Sequence, residues 1–396
     1  MTEEQRKFLA DCLKHYRNDL TGDILPFWFR HGFDRENGGV YTYLDRDGSI
    51  YDTTKSVWFQ GRFAYLCSLA YNAGVKDDIL LHAAKSTLDF IEKYCIDRDG
   101  RMFFEVTAQG APLRKRRYVF SECFAAIAMA EYAGASGEKN YAQKALTLFG
   151  QIRKMLSNGS LMPKYEIPMR GHSMVMIMMN VAKCIAKHIY DPLLDIQIEE
   201  SVKALQDWFL HPEYRALLET VGPQGEFIDS SMGRLINPGH GVETAWFLME
   251  IAEMRNDRHW VELATTILDY SWEWGWDETC GGIINFRDCK GFPVQDYSQD
   301  MKFWWPQCEA IIATLYAYRL TGDNRYLEKH RMIHAYTYEK FPDPEFGEWY
   351  GYLHRDGRVA IPAKGTLFKG PFHIPRMMIY AAQLCEQILE PVKIQI

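Results

Sequence analysis

The sequence predicts an all-α fold, an (α/α)6 barrel of six helical hairpins, with short β-hairpins in the long loops of one face. Three observations predict it. Apolar residues recur with helical periodicity along most of the 396 residues. The connections between the predicted helices alternate between short and long. Every second helix is apolar on almost all of its faces. Because no linker rich in Gly, Pro or Ser divides the chain, residues 1–396 are predicted to form a single domain.

Twelve helices follow from this periodicity. They are expected near 3–21, 56–74, 79–95, 118–136, 139–157, 172–190, 193–210, 241–255, 258–275, 304–321, 325–340 and 371–389. Tight turns follow the even-numbered helices, whereas the connections that precede them are roughly 15 to 34 residues long. The unit is therefore a helix, a tight turn, a helix and a long loop, repeated about six times.

Composition assigns the helices to two rings, which favours a closed barrel over an open solenoid. Even helices such as 172–190 are apolar nearly all round and should form the inner ring, and odd helices such as 79–95 are amphipathic and should form the outer ring. The long connections carry Asp and Gly turn residues between apolar residues, a pattern typical of short β-hairpins. These stretches are 34–48, 97–106, 276–288 and 347–357.

The net charge, the apolar runs and the cysteines limit the classes to which the protein can belong. The net charge is −7, and the basic cluster 114–117 is expected to be a solvated loop, so no nucleic-acid partner is predicted. The apolar run 174–182 is too short to span a membrane, and the first residues show no signal-peptide pattern. Nine cysteines without a CxxC motif are typical of free thiols in a reducing cytosol, so we expect a cytoplasmic protein with no membrane partner.

Polar side chains concentrate near the predicted starts of the even helices. Taken singly, each is more often a helix cap or core residue, and the helix dipole alone favours a glutamate there. Their joint position predicts an active site, because all inner helices of such a barrel begin at one face. The residues are Trp58, Gln60, Arg62, Ser121, Glu122, Arg170, His172, His240, Glu243, Lys302, Gln307, Glu309, Lys369, His373 and Arg376.

Two of these residues are histidines that follow a Gly-Pro or Pro-Gly turn. His240 and His373 should feel the positive end of the helix dipole, which disfavours imidazolium and should lower their pKa. Glu243, three residues after His240, should orient the ring of that histidine. Pro371 suits the first position of the last helix.

Two neutral histidines on non-adjacent inner helices suit proton transfer beside a carbonyl group. One would remove a proton from one face, and the other would return a proton to the opposite face. Arg62 would stabilise the oxyanion that forms between these two steps. The sequence has no HExxH motif and no clear carboxylate–histidine cluster, so we predict no metal site. It also has no P-loop for a nucleotide and no GxSxG motif for a serine nucleophile.

Two other classes remain open at this point. An inverting glycoside hydrolase on the same barrel would use paired carboxylates such as Glu122 and Glu309. That assignment leaves His240 and His373 without a catalytic task. A non-catalytic binding protein is the other alternative, and the nearly complete set of histidines, arginine and glutamates argues against it.

The segments that contain the predicted site residues resemble the N-acylglucosamine 2-epimerase family, and the resemblance extends over nearly the whole chain. The matching segments are 55–62, 237–247, 301–310, 342–357 and 364–376. The resemblance implies an (α/α)6 barrel, in agreement with the helix pattern. It also implies interconversion of N-acetylglucosamine and N-acetylmannosamine at C2 through an enediolate-type intermediate of the open-chain sugar, a reaction of amino sugar metabolism and sialic acid catabolism.

The resemblance also implies roles for individual residues. His373 and His240 would be the acid/base pair, Arg62 would hold the reacting oxygen, and Glu309 would assist. The substrate-binding residues predicted from the resemblance and from the helix starts are Trp58, Gln60, Glu122, His172, Arg234, Glu243, Trp304 and Lys302.

The family resemblance further implies that no cofactor is consumed, that ATP acts as an activator, and that the protein is a homodimer. Cellobiose 2-epimerases and mannose or sulfoquinovose isomerases share the fold and similar histidines, so they stay alternatives. The segment Gly365-Thr366-Leu367 replaces the commoner Gly-Gly-Pro of the family and leaves the substrate open.

Overall fold

A computed structural model describes residues 1–115, 119–157 and 169–390. Twelve long helices in this part of the chain form two concentric rings. The inner ring consists of α2 Val57–Asn72, α4 Phe120–Ser136, α6 His172–Ala186, α8 Pro238–Arg255, α10 Trp304–Thr321 and α12 His373–Leu389. The outer ring consists of α1 Glu3–Asp19, α3 Asp78–Tyr94, α5 Lys139–Ser157, α7 Pro192–Ala204, α9 Arg258–Gly275 and α11 Asn324–Lys340.

The inner ring is closed, which confirms the barrel prediction. Each inner helix packs against the next, and α12 packs back against α2. Each outer helix packs on the inner helix that precedes it, and α1 packs on α12 to complete the sixth hairpin. The inner helices are buried on most faces, as the apolar composition of α8 and α10 requires.

Short sequence signals explain the tight turns at the end of the barrel opposite the long loops. Asn256 and Gly322 end α8 and α10 with φ of 51° and 68°, the left-handed conformation that these two residue types tolerate best. The following residues, Asp257 and Asp323, accept hydrogen bonds from the first amides of α9 and α11. A helix stop and a helix start therefore occupy adjacent positions.

Two outer helices are prolonged by wider turns. The chain continues from α1 through π-helical turns at Leu20–Ile24 and Trp28–Gly32, separated by the α-helical turn Leu25–Phe27. The π-helical turn Leu205–Phe209 prolongs α7. A short 3-10 turn follows at Pro212–Tyr214.

The described residues include fourteen short strands, which lie in the long connections. They are β1 Tyr43–Leu44, β2 Ile50–Asp52, β3 Lys55–Ser56, β4 Glu105–Val106, β5 Pro112–Arg114, β6 Arg170–Gly171, β7 Leu210–His211, β8 Ala216–Leu217, β9 Thr220–Val221, β10 Leu235–Ile236, β11 Arg287–Asp288, β12 Lys302–Phe303, β13 Tyr352–Leu353 and β14 Val359–Ile361. The predicted β-hairpins are confirmed: each of the four predicted stretches contributes to an antiparallel pair or bridge.

Pairing between successive connections was not predicted. The strand just before an inner helix pairs with a strand of the next long connection, as β3 does with β4 and β12 with β13. The pairs β6–β9 and β10–β11 repeat the arrangement. These antiparallel links join neighbouring hairpins at the face where the inner helices begin.

Buried side chains at the helix starts hold these loops in place. Gln60 accepts a hydrogen bond from the Val40 amide at 2.8 Å and donates to the Val40 carbonyl at 2.9 Å. Gln307 makes the same pair of bonds to Ile283, at 2.7 and 2.9 Å. Glu122 accepts from the Met102 amide at 3.0 Å. Three inner helices therefore use an equivalent position to fix the turn of the preceding connection.

Buried lysines make a second repeated link. Lys302 donates to Asp277 at 3.0 Å and to the carbonyls of Gly281 and Gly282. Lys55 donates in the same way to Asp34 at 2.7 Å and to a glycine carbonyl of its own connection. A buried ammonium group that is fully paired in this way stabilises a loop and offers no donor to a ligand.

Two predictions from the sequence concerned membrane-spanning segments and the basic cluster 114–117. Within the described residues, no helix combines the length and the apolar character needed to cross a bilayer. In the basic cluster, Lys115 pairs with Asp97 and Asp99, and Arg114 pairs with Glu105. Arg116 and Arg117 lie outside the described residues.

Candidate active site

A cavity of about 340 Å³ opens at the face where the inner helices begin. Its walls are mainly aromatic, and its polar groups are few and convergent, as is typical of small-molecule sites. The lining residues are Trp58, Arg62, Phe120, Phe124, Ser173, Met176, Ile177, Asn180, His240, Glu243, Phe247, Phe303, Trp304, Trp305, Tyr352, Phe368, Phe372, His373 and Arg376.

His373, the first residue of α12, is held by a buried carboxylate. Its Nδ1 lies 2.7 Å from Oε1 of Glu309, which is fully buried on α10. The carboxylate can only accept, so Nδ1 carries the proton and Nε2 of the neutral ring keeps a lone pair. Trp246 fixes the other oxygen of Glu309 by an Nε1–H donation at 2.7 Å.

The charge of Glu309 is offset by Arg376. The guanidinium donates to Glu309 at 2.6 Å and to Glu243 at 2.7 Å, and all three groups are buried. Burial, followed by the positive charge of Arg376, lowers the pKa of His373 well below its ordinary value. The lowered pKa predicted for this histidine agrees in direction with the structure, but burial and Arg376 cause it rather than the helix dipole. The helix α12 begins at His373 itself, and Pro371 precedes it.

His240 has a different partner from the one predicted. Its Nδ1 lies 3.0 Å from both oxygens of Glu219, a residue of the connection between α7 and α8. His172 lies behind this pair, with Nδ1 3.7 Å from Glu219 and Nε2 3.0 Å from the Thr244 hydroxyl. Glu243 does not orient the ring, because its carboxylate is bound to Arg376.

The prediction of a lowered pKa for His240 was wrong. Burial alone would lower it, but the charge of Glu219 and its hydrogen bond outweigh burial and raise the pKa of His240 above 6.5. Burial would raise the pKa of Glu219, yet the histidine lowers it to about 2. The pKa values of the two cavity histidines are therefore shifted in opposite directions.

Arg62 of α2 enters the cavity through a cluster of aromatic rings. Its guanidinium carbon lies 4.3 Å from the ring centroid of Phe124 and 4.9 Å from that of Phe372. Burial lowers the pKa of Arg62, and its buried Nε has no hydrogen-bond partner among the described residues. An arginine with unused donors beside an apolar wall is prepared for an oxygen that gains negative charge.

Trp305 lies close to both histidines. Its ring centroid lies 5.2 Å from that of His240 and 5.9 Å from that of His373. Trp304, which was predicted as a substrate-binding residue, packs edge-on against Tyr352 and His373 and is almost fully buried. Both tryptophans and Trp58 line the cavity.

The structure brings together most but not all of the predicted site residues. His373, His240, Arg62, Glu243, Trp58 and Trp304 line the cavity, and Glu309 and His172 lie directly behind the two histidines. Four others lie away from it. Gln60, Glu122 and Lys302 hold loops as described above, and Arg234 is bound by Asp288 and Asp229, each at 2.8 Å.

Two residue groups at the site have the composition of metal ligands. One consists of Glu243, Glu309 and His373, but the guanidinium of Arg376 lies between its carboxylates and would repel a cation. The other consists of His172, Glu219 and His240, in which the carboxylate faces both rings. An ion there would occupy the Nδ1 lone pairs and displace the proton that pairs His240 with Glu219.

The paired carboxylates of a glycoside hydrolase are not found at this cavity. Among the described lining residues, Glu243 is the only carboxylate, and it is bound to Arg376. Glu122 accepts from Arg101 at 3.0 Å and does not line the cavity. An acid and a base on either side of a glycosidic bond would both have to face the substrate.

Sequence reasoning missed Glu219 and Trp305. Glu219 interrupts the apolar run 216–221, and a single charge inside a short buried strand pattern is a usable signal. Trp305 stands next to Trp304, and the helix period alone does not decide which of two adjacent rings faces the axis. In the structure Trp304 is buried, Trp305 is half-buried, and both line the cavity.

Several known proteins resemble this chain in sequence, in fold, or in both. The family model for N-acylglucosamine 2-epimerase matches residues 39–370. An N-acylglucosamine 2-epimerase from Rattus norvegicus is 33% identical over 98% of this chain and 94% of its own length. The structure of cellobiose 2-epimerase from Spirochaeta thermophila superposes with a TM-score of 0.85 at 20% identity, covering 98% of this chain and all of that one. A D-mannose isomerase gives 0.76 at 18% identity, covering 96% and 98%. The chain therefore belongs to the N-acylglucosamine 2-epimerase family of isomerases.

Proposed function

We propose that the protein interconverts N-acetylglucosamine and N-acetylmannosamine by proton transfer at C2. One observation carries the proposal: His373 and His240 line one cavity, both beside Trp305, and their pKa values are shifted in opposite directions, which favours a neutral His373 and a protonated His240. A neutral histidine is a base and a protonated histidine is an acid, so the pair is prepared for removal and return of a proton.

In the direction that starts from this resting state, His373 acts first. Nε2 removes the C2 proton of the open-chain aldehyde, and the electrons move into the C1–C2 bond and onto O1. Arg62 stabilises the negative charge on O1. Protonated His240 then donates its Nε2 proton to the opposite face of C2, which inverts that centre.

The reverse direction uses the same residues in exchanged roles. After one inversion His373 holds the proton and His240 is neutral, so His240 is the base for the reverse reaction. Glu309 and Glu219 keep each ring in the tautomer whose Nε2 faces the reaction, because each accepts at Nδ1. The resting state is restored when protons exchange with solvent.

Relatives and cavity size support the choice of substrate. The rat relative acts on an N-acylglucosamine by its name and is 33% identical, whereas a cellobiose 2-epimerase from Eubacterium cellulosolvens is 24% identical. A cavity of about 340 Å³ is near the lower end of ligand pockets, which favours a monosaccharide over a disaccharide.

A substrate panel tests this assignment. Equal concentrations of N-acetylglucosamine, N-acetylmannosamine, cellobiose and mannose would be incubated separately with the purified protein. We expect the two N-acetyl sugars to give the highest kcat/KM. A higher kcat/KM for cellobiose or mannose would replace the N-acyl assignment with that of a cellobiose 2-epimerase or an aldose–ketose isomerase.

Three parts of the proposal rest on the family resemblance described above. We propose that no cofactor is consumed, that ATP activates without being hydrolysed, and that the protein is a homodimer. The cysteine usage supports a cytoplasmic location. ATP takes no part in the proton-transfer steps. Rates with and without ATP, together with light scattering of the purified protein, test activation and the oligomeric state.

A further inference from the structure

A second group of metal-ligating side chains lies outside the active site, between the outer helices α1 and α11. It consists of Cys12, His330 and His334, with ligand atoms that all lie within 4.8 Å of one another. The three residues are buried, and His334 is the most exposed of them at 9%. None of them has a part in the mechanism proposed above.

Helical spacing places the donors of each helix on one face. Cys12 and Tyr16 are four residues apart on α1, and His330 and His334 are four residues apart on α11. Residues at this spacing lie one above the other. Two facing helix surfaces therefore each present two donor atoms to the same point.

Distances from the Tyr16 hydroxyl show how closely the ligand atoms of this group are spaced. Its hydroxyl lies 3.3 Å from Nε2 of His330 and 2.9 Å from Nδ1 of His334. In a tetrahedral zinc site, bonds of about 2.0–2.3 Å put neighbouring ligand atoms about 3.3–3.6 Å apart. Two edges of such a tetrahedron are already near this length. The separations among the ligand atoms of Cys12, His330 and His334, each within 4.8 Å, need to shorten by at most about 1.5 Å.

A neighbouring hydroxyl selects the ligand nitrogen of His330. Thr314 of α10 donates its single proton to the Ala310 carbonyl at 2.7 Å, so it accepts from Nδ1 of His330 at 3.2 Å. This bond leaves the lone pair of Nε2 directed toward Tyr16. A hydrogen bond that fixes the tautomer from the far side of the ring is a regular feature of histidine ligands.

We propose that these residues form a structural zinc site that joins α1 to α11. Cys12 Sγ, His330 Nε2 and His334 Nδ1 supply three ligands, and the Tyr16 oxygen completes the tetrahedron. A thiolate with two imidazoles is a soft nitrogen–sulfur set that suits zinc among the divalent cations. Binding breaks the S–H bond of Cys12, forms the zinc–sulfur bond and releases the proton to solvent.

Zinc titration of chelator-treated protein tests the proposal. We expect one Zn²⁺ per chain and a higher melting temperature with zinc present. Cys12→Ser and His334→Ala should weaken binding by roughly tenfold or more. Cys280→Ser removes a half-buried thiol far from α1 in the sequence and is the matched control. This variant should bind zinc as tightly as the wild type.

A spectroscopic measurement on the unaltered protein covers the case in which a variant does not fold. Co²⁺ in the proposed site must give tetrahedral absorption together with a sulfur-to-metal charge-transfer band. If Co²⁺ binds without that band, the ion has no sulfur ligand and would lie instead at His172, Glu219 and His240. That result would overturn the proposal. Absence of stoichiometric binding, or equal affinity in folded Cys12→Ser, would also overturn it.

Discussion

Two histidines in one cavity have pKa values shifted in opposite directions, because their carboxylate partners differ in environment. Glu309 is shared between His373 and Arg376, so its charge is already offset and burial determines the pKa of His373. Glu219 has only histidines as charged neighbours in the described contacts, and it therefore stabilises imidazolium at His240. Helix position alone gives no basis for this difference, since both residues lie in the first turn of an inner helix.

Replacing each histidine separates the two half-reactions. His373→Asn and His240→Asn should each lower epimerisation by roughly 100- to 10,000-fold. His240→Asn should still exchange the C2 proton of one sugar with solvent deuterium, because His373 remains as a base on one face. Proton NMR in D2O measures both rates. Full epimerisation by either variant, with an unchanged circular dichroism spectrum, would contradict the two-histidine mechanism.

The pH dependence of kcat/KM follows from the two pKa shifts. Activity requires one proton on the pair, so it should fall at low pH as His373 is protonated and at high pH as His240 loses its proton. The plateau should include pH 6.5, because one pKa lies below that value and the other above it. Both directions should give the same profile, since their starting states differ only in which histidine holds the proton.

Glu219→Gln should move one limb of that profile. Loss of the carboxylate removes the attraction that raises the pKa of His240, so the alkaline limb should shift to lower pH. The acid limb, which belongs to His373, is the internal control and should stay in place. An unchanged alkaline limb would show that Glu219 does not set the charge of His240.

Arg62→Ala should mainly lower kcat, because the guanidinium acts on charge that develops after binding. Loss of one such donor costs roughly a hundredfold or more. Arg62→Lys keeps the charge but not the fork of donors, and should recover only part of the rate. Steady-state kinetics on both sugars measure the effect, and a large rise in KM with unchanged kcat would assign Arg62 to ground-state binding instead.

At the scale of secondary-structure elements, polar side chains at the starts of the inner helices serve two purposes. Some line the active site, and others hold the long loops in place. Polar residues near the starts of inner helices were all predicted as site residues, yet Gln60, Glu122 and Lys302 hold loops. The matching bonds of Gln307 show that this is a repeated structural device. Comparison of the helix starts with one another separates the two groups, because a position that recurs in several repeats is structural.

Gln60→Ala should therefore destabilise the protein without impairing catalysis. It leaves both backbone groups of Val40 without partners, which costs about 1–3 kcal/mol. Urea unfolding measures the loss, and kcat and KM should stay near wild type. Gln143→Ala, at an exposed position of α5, is the control and should change stability by about 0.5 kcal/mol or less. A rise in KM at wild-type stability would restore Gln60 to the substrate site.

At the scale of the whole molecule, the sequence predicts the barrel well and the site only in part. Helical periodicity and alternating loop lengths identify the two rings, because both are local properties. The strand pairs between successive connections and the contact of Glu219 with His240 join segments far apart in sequence, which local patterns do not determine.

The closed ring gives the inner helices a common start, and we propose that two histidines from α8 and α12 act there on one carbon atom of the substrate. Proton NMR of N-acetylglucosamine with the purified protein in D2O tests this proposal. We expect N-acetylmannosamine to appear with deuterium at C2. Absence of N-acetylmannosamine, or product formed in the first turnovers that retains protium at C2 in full, would contradict it.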